Sequence, residues 1–141
     1  MKLFRKDSGY AVRTLVFIAQ QDQAQPVSST YISERLGIPK SFLRRIFSKL
    51  IHADILRAKE GVRGGVVLAK SPVLISVCDV ILALQGDVKI CDFARNHEMC
   101  KNYGQCPMRK RIIALERLVS DEFCTITIQS LVDENQSIFS E

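Results

Sequence analysis

The stretch of residues 28–55 constrains the fold most, because it places two helical patterns on either side of a three-residue break. Ser28 can cap the first helix by accepting a hydrogen bond from its unpaired backbone N–H groups. Gly37 suits the end of that helix, and Pro39 suits the start of the next one. We interpret the stretch as a helix-turn-helix, and an ordinary helical hairpin with a solvated basic face is the alternative.

The second helix of this pair has two chemically different faces. Its apolar residues keep the spacing of a buried stripe, at Phe42, Leu43, Ile46, Phe47 and Leu50. Its opposite face carries cations and hydrogen-bonding side chains, at Lys40, Ser41, Arg44, Arg45, Ser48 and Lys49. Cations contact phosphates and side-chain donors read base edges, so this face is typical of a DNA recognition helix.

Two short strand-like runs follow, at residues 56–59 and 66–69, with a glycine-rich segment between them. Glycine tolerates the positive φ that a hairpin turn requires. A hairpin directly after a recognition helix is typical of the wing of a winged helix, and an exposed hairpin that binds nothing is the alternative. Lys59 and Arg63 lie where the tip of a wing would reach a phosphate or the minor groove.

Charge is distributed unevenly along the chain. Residues 1–70 hold 13 of the 20 Lys and Arg and 5 of the 15 Asp and Glu, a net charge of +8, whereas residues 71–141 have a net charge of −3. The basic half predicts a polyanion as partner, with a merely solvated basic surface as the alternative. No apolar run approaches the ~20 residues of a membrane span. The N-terminus lacks the pattern of a secretory signal, so we expect a cytoplasmic protein with no membrane partner.

The longest helical pattern covers residues 107–123. Its predicted apolar stripe consists of Met108, Ile112, Leu115, Val119 and Phe123. We predict a polar outer face made of Arg109, Lys110, Arg111, Glu116 and Asp121. A long amphipathic helix outside a small domain needs a surface to cover, and we expect the same helix of a second copy to supply it. Packing back onto its own domain is the alternative.

The chain has five cysteines, Cys78, Cys91, Cys100, Cys106 and Cys124. An odd number in a reducing compartment argues against a disulfide framework. We therefore expect Cys78, beside the apolar stripe of a helix over residues 76–84, to be a packed small side chain.

Three cysteines, Cys91, Cys100 and Cys106, fall within residues 91–106, which we name the cysteine loop. Thiolates this close repel unless a metal holds them, and soft sulfur ligands suit zinc or iron–sulfur centres. The paired C-x2-4-C spacing of zinc sites is absent. Metal or cluster binding is favoured, and a thiol switch or unused cysteines are the alternatives. A cluster takes four ligands, so His97 and Asp7 are candidates for the fourth.

On these residues the chain up to about Glu134 resembles the Rrf2 family of bacterial winged-helix regulators, which includes iron–sulfur sensors. The motifs behind the resemblance are Tyr10-Ala11-Val12-Arg13, Ile32-Ser33-Glu34-Arg35, Phe42-Leu43, Gly64-Gly65 and the cysteine loop. The resemblance implies a homodimer crossed through the long helix. It also implies a 4Fe–4S or 2Fe–2S cluster on Cys91, Cys100 and Cys106, and base reading by Ser41 and Arg44.

The sequence departs from the family pattern at several positions. Glu60 stands where the family carries a wing arginine, so wing contacts fall to Lys59 or Arg63. Gly9 stands where some members carry an acidic fourth ligand, and Arg109 where one relative uses a histidine. The first two cysteines are also more widely spaced than in many cluster-binding members. Operator, fourth ligand and cluster type therefore stay open.

The sequence predicts a mainly α fold with a small β-hairpin, a winged helix-turn-helix followed by a long C-terminal dimerisation helix. We divide it into a DNA-binding domain (1–72), a cluster-binding loop with dimerisation helix (73–134) and a flexible tail (135–141). The predicted function is a transcriptional repressor that binds a double-stranded operator under control of a redox- or nitric-oxide-sensitive iron–sulfur cluster. A cluster-free regulator controlled by a protein partner or by thiol oxidation is the alternative. No nucleophile–base or phosphate-loop pattern indicates an enzyme.

Overall fold

The computed structural model describes residues 3–99 and 102–138. Its helices and strands, in chain order, are α1 Lys6–Ala19, α2 Ser29–Leu36, α3 Lys40–His52, β1 Leu56–Lys59, β2 Gly65–Leu68, α4 Val77–Gln85, α5 Pro107–Thr125 and α6 Ile128–Ile138. Short 3-10 turns lie at residues 72–74, 93–95 and 97–99. The predicted class, mainly α with a small β-hairpin, is confirmed.

The turn between α2 and α3 has the caps that the sequence predicts. The Ser28 hydroxyl accepts a hydrogen bond from the Tyr31 N–H at 3.2 Å. Gly37 is left-handed, with φ at 64°, and its N–H donates to the Ser33 carbonyl at 2.9 Å. Glycine reaches this conformation without steric cost, so α2 ends there and the chain turns directly into α3.

The hairpin is antiparallel and is attached to the start of α2. Leu56 lies opposite Leu68 in its register. Val27, the residue before the α2 cap, exchanges two backbone hydrogen bonds with Val66, at 2.9 and 3.0 Å. A Cβ at Gly65 would lie only 2.3 Å from the Val27 carbonyl oxygen. This close backbone approach admits glycine alone.

The main core extends past residue 72, the predicted boundary of the DNA-binding domain. Its buried side chains include Leu15, Ile32, Leu43, Ile46, Leu50, Ile55, Ile75, Val80, Leu84 and Ile128. Helix α4 packs against α1 and α3, and α6 packs against α1, so both helices complete this core. The division of the chain at residue 72 stays a prediction.

Helix α5 packs onto its own chain through three residues of the predicted stripe, Ile112, Val119 and Phe123. Val119 and Phe123 contact a second cluster of buried residues formed by Val77, Ile81 and Val88. Met108 and Leu115 of the predicted stripe are 61% and 52% exposed, and the neighbouring Leu118 is 69% exposed. The buried row runs through positions 112, 116, 119 and 123, because these positions share one face of a helix.

The beginning of α4 and the end of α5 are joined. The Val77 N–H donates to the Ile126 carbonyl at 2.8 Å. This contact brings Cys78 and Cys124 to a Cα separation of 4.7 Å, and the structure joins them in a disulfide. The expectation against a disulfide framework did not anticipate this pair: the fold brings together two cysteines that are 46 residues apart in sequence.

Helix α6 extends into the segment that the sequence predicts to be a flexible tail, residues 135–141. It continues to Ile138, four residues into the segment predicted as a tail. Residues 139–141 lie outside the described residues.

Candidate nucleic-acid interface and cysteine loop

The outer face of α3 is exposed and basic. The predicted contact residues that are exposed there are Lys40, Ser41, Arg44 and Arg45, with Ser48 beside them. The Arg45 guanidinium lies 4.9 Å from the centre of the Phe42 ring, a cation–π contact that restricts its side chain. Leu43 and Ile46 are fully buried on the opposite side. Helix α3 therefore presents a fixed row of donors and cations to solvent.

Lys49 is placed differently from the other predicted DNA contacts. Its ammonium donates to the carbonyl of Leu84 at 2.9 Å, near the C-terminus of α4. A cation there is favoured by the partial negative charge of a helix end. The side chain is half-buried and links α3 to α4. Lys49 is therefore a structural contact between these two helices and not an exposed cation of the α3 surface.

The wing tip places two cations on either side of a tight turn. Lys59 and Arg63 are both exposed. Gly61 has φ at 117°, a conformation that favours glycine, and its carbonyl accepts from the Gly64 N–H at 3.0 Å. The geometry matches the wing predicted from the sequence.

One basic residue beside this surface was missed by sequence reasoning. Lys6, exposed at the start of α1, has its ammonium 5.4 Å from the Tyr10 ring centre and 5.9 Å from that of Phe42. Phe42 lies in the first turn of α3, so Lys6 extends the basic surface beyond the helix-turn-helix. The spacing of Lys6 and Tyr10, four residues apart on α1, is the sequence signal that could have identified it.

Cys91 and Cys106 stand at the two ends of the cysteine loop, and both are half-buried. Cys106 is the N-cap residue of α5, directly before Pro107, as the sequence predicts. Cys100 lies outside the described residues. Within residues 3–99 and 102–138, no three His, Cys, Asp or Glu side chains are grouped as a metal site.

Glu116 is buried, not on the polar outer face predicted for it. Its side chain is 3% exposed. One carboxylate oxygen accepts from the Ile90 N–H at 2.9 Å, and the other accepts from the Arg95 guanidinium at 3.0 Å. Burial alone raises the pKa of this carboxyl, but the backbone N–H of Ile90, the Arg95 guanidinium and the N–H of Cys91 together hold it below its ordinary value. Glu116 is therefore an anion that attaches the chain around Cys91, from Ile90 to Arg95, to α5.

Arg109 provides a second anchor between α5 and the loop. Its Nε–H donates to the Ala94 carbonyl at 2.9 Å, and its guanidinium lies 4.1 Å from the centre of the Tyr103 ring. The exposed ring of His97 stacks on the same Tyr103, with 3.5 Å between ring centres. This arginine occupies the position where one relative has a histidine ligand, and here its contacts are structural.

Asp7, the other candidate fourth ligand, lies in the first turn of α1. It is 9% exposed. Its carboxylate accepts from the Ser8 N–H at 3.2 Å and lies 3.7 Å from the Arg5 side chain.

The comparison with known families decides the identity of this architecture. A model of the Rrf2 family, described as an iron-dependent transcriptional regulator, matches residues 4–134. The chain belongs to the Rrf2 family. It is therefore a transcriptional regulator and not an enzyme, as the sequence predicts.

Known Rrf2 regulators and related structures agree with this assignment. The chain is 31% identical to the transcriptional regulator IscR of Vibrio vulnificus over 144 residues, which cover 98% of this chain and 81% of IscR. The structure of T. potens IscR matches with a TM-score of 0.78 and 21% identity, covering 98% of this chain and 91% of that one. CymR, the global cysteine regulator of B. subtilis, matches with a TM-score of 0.75 and 21% identity, covering 93% and 96%. These two structures show the shared fold.

Rrf2 regulators are DNA-binding proteins of the winged-helix type, so the exposed surface of α3 and the wing is the candidate DNA-binding surface. In the part of the chain that the structure describes, no helix has the length and apolarity to cross a bilayer.

Proposed function

We propose that this Rrf2 regulator binds a double-stranded operator as a homodimer and represses transcription by occupying it. We further propose that an iron–sulfur cluster on Cys91, Cys100 and Cys106 controls its operator affinity. The observation that carries the proposal is the attachment of the cysteine loop to α5. This helix belongs neither to the exposed basic surface of α3 and the wing nor to the main core, and it leaves apolar residues exposed.

The DNA-binding half rests on the exposed face of α3 and on the wing. Lys40, Arg45, Lys59 and Arg63 supply phosphate contacts, which fix the position of the protein and depend on salt. Ser41 and Arg44 reach base edges, and an arginine there pairs with guanine through two hydrogen bonds. In a dimer the two α3 helices would enter successive major grooves, ~34 Å apart.

The dimer rests on the uncovered apolar side chains of α5. Met108, Leu115 and Leu118 share one face of this helix and are more than half exposed. Contiguous exposed apolar side chains mark interaction sites. A second copy presents the same apolar row, so pairing α5 with α5 covers both rows in one symmetric contact.

The donor chemistry of the cysteine loop fits an iron–sulfur cluster. Its described thiols, Cys91 and Cys106, are half-buried, and Cys106 stands at the positive end of α5. Arg95 and Arg109 both contact the loop and would offset the negative charge of a thiolate site. A 4Fe–4S or 2Fe–2S cluster supplies a centre that reacts with oxidants and nitric oxide. Asp7 and His97 stay the candidates for the fourth ligand.

Metal analysis tests the cofactor. Protein purified without oxygen, and then reconstituted with iron and sulfide, should contain iron and absorb in the visible range. Cys91→Ser and Cys106→Ser should lose both signals, whereas Cys78→Ser, outside the loop, should keep them as the matched control. Zinc alone, or a colourless protein without iron, contradicts cluster control.

A second candidate function follows from the cysteine pair of α4 and α5. Control by thiol oxidation would use Cys78 and Cys124, which give up two electrons and two protons to a peroxide, form one disulfide and leave two molecules of water. Operator affinity would then change with peroxide in iron-free protein, and Cys124→Ser would abolish the change. A stoichiometric protein partner recovered with iron-free regulator would instead favour control by that partner.

A further inference from the structure

A buried carboxylate in the middle of α5 is a polar feature that DNA binding and metal ligation leave unexplained. Burying a carboxylate is costly unless charged or hydrogen-bonding groups compensate it. Glu116 lies on the inward-facing row of α5 with Ile112, whereas its neighbours Leu115 and Arg117 face solvent. Its partners, Ile90 and Arg95, are both at the start of the cysteine loop. The position of this carboxylate is therefore tied to the loop.

We infer that Glu116 is a positioning residue for the cluster site, which holds Cys91 in place and connects its movement to α5. The inference rests on the proposed function, because it assigns Cys91 as a ligand. Glu116 contacts no cluster atom in this assignment. It acts through the backbone on either side of the cysteine.

Glu116 links the Cys91 end of the cysteine loop to α5. Cys106 is fixed to α5 by the chain itself, because it is the N-cap of that helix. Cys91 has no such direct attachment to α5; instead the N–H of the preceding Ile90 donates a hydrogen bond of 2.9 Å to Glu116, 26 residues away in sequence. Both ends of the loop are thereby anchored to one helix.

The two carboxylate oxygens hold two different parts of the loop. One oxygen bonds the backbone just before Cys91, and the other bonds Arg95, which also lies 3.8 Å from Asp87. A shift of Cys91 therefore pulls on Glu116 or breaks one of these bonds. Leu115 and Leu118, close to Glu116 on α5, are the exposed residues proposed to meet the second copy. A change at Cys91 would thus reach the dimer contact across the width of one helix.

The test compares Glu116→Gln with Glu122→Gln in the full-length protein. Glutamine keeps one acceptor oxygen and replaces the other by an NH2 group. It can therefore accept from only one of the two donors, the Ile90 N–H and the Arg95 guanidinium, and it places an N–H donor opposite the other. Glu122 is an exposed carboxylate on the same helix, which makes it a matched control. The measurement is residue-resolved amide hydrogen exchange in metal-free protein, followed by the rate of iron loss from reconstituted protein.

Glu116→Gln should speed exchange at the Ile90 and Cys91 amides by about 10-fold, the size expected for losing a hydrogen bond to a charged acceptor. Exchange within α5 should stay unchanged, which separates local release of the loop from general destabilisation. The reconstituted variant should lose iron about 10- to 100-fold faster than the wild type, as for other groups that orient metal ligands. The control should match the wild type in both measurements.

Unchanged exchange at Ile90 and Cys91 would overturn the inference, as would faster exchange accompanied by unchanged iron loss. Exchange is measured without metal, so it reports on the anchor independently of the cofactor. A wild type that takes up no iron would overturn the proposed function and the positioning role together, whereas a wild type that holds iron while Glu116→Gln behaves identically would overturn the positioning role alone.

Discussion

The reading head, residues 27–68, and the cysteine loop are held in place by different interactions. In the head, the cap contact of Tyr31 with Ser28 is local, and the helices close over an apolar core. In the loop, the polar contacts to Glu116 and Arg109 span 26 and 15 residues. The head therefore takes its shape from local caps and from a core that α1, α4 and α6 complete, whereas the loop takes its position from α5. A structural change in the loop consequently acts first on α5 and not on the recognition helix α3.

The core of the head should give the largest effect on stability. Ile46→Ala removes a fully buried side chain of α3 and should lower the free energy of unfolding by about 2–5 kcal/mol. Met108→Ala, on the exposed row of α5, should change it by less than about 0.5 kcal/mol. Chemical denaturation of both variants, below the concentration at which dimers form, measures the difference. Equal losses would contradict the comparison.

Replacing a glycine should also cost more stability in the head than in the cysteine loop. Gly65→Ala places a methyl group against the backbone of Val27 and should cost about 3 kcal/mol, because a contact with backbone cannot relax cheaply. Gly104→Ala, in the cysteine loop, meets no atom within 4 Å and should be nearly neutral. Thermal unfolding of the two variants provides the measurement. A neutral Gly65→Ala would mean that the wing is not fixed to α2.

Arg44→Ala should affect DNA binding without affecting the fold. It removes a proposed base contact, so affinity for the preferred duplex should fall by about 1–3 kcal/mol while affinity for unrelated duplex changes little. Lys40→Ala should weaken both duplexes together and reduce the dependence of binding on salt. Fluorescence anisotropy on the two duplexes at several salt concentrations separates the two roles. An identical profile for the two variants would remove Arg44 from base reading.

The smallest effect should come from the helix cap of α2. Ser28→Ala removes the hydrogen bond to the Tyr31 N–H and should cost about 1 kcal/mol. Ser28→Asp, which caps equally well, should restore stability. Denaturant midpoints for the three proteins check this, and a fully stable Ser28→Ala would show that the cap contributes nothing to the head.

The two regions also differ in how much of them the sequence predicts. Ser28, Gly37 and the stripe on α3 act within a few residues, so the local sequence predicts their roles. The contact of Lys49 with Leu84 and the pairing of Cys78 with Cys124 join residues 35 and 46 apart, and nothing in local pattern indicates them.

Glu116 is intermediate. It lies on the same helical row as Ile112, Val119 and Phe123, which is a signal that it is buried. A carboxylate at such a position is ordinarily assigned to the solvent face, because its cost of burial is high unless partners are known. Its partners come from the cysteine loop, whose course has no periodic pattern to predict it.

The most direct test of the account is the operator affinity of one preparation in two metal states. The duplex would be selected by the protein from a random pool, and binding would be titrated anaerobically with iron-loaded protein and again after chelation. The account predicts that both states are dimers and that their affinities differ at least about 10-fold, the size of an allosteric coupling of 1–3 kcal/mol. Equal affinity in the two states would contradict the claim that the cysteine loop controls the reading head.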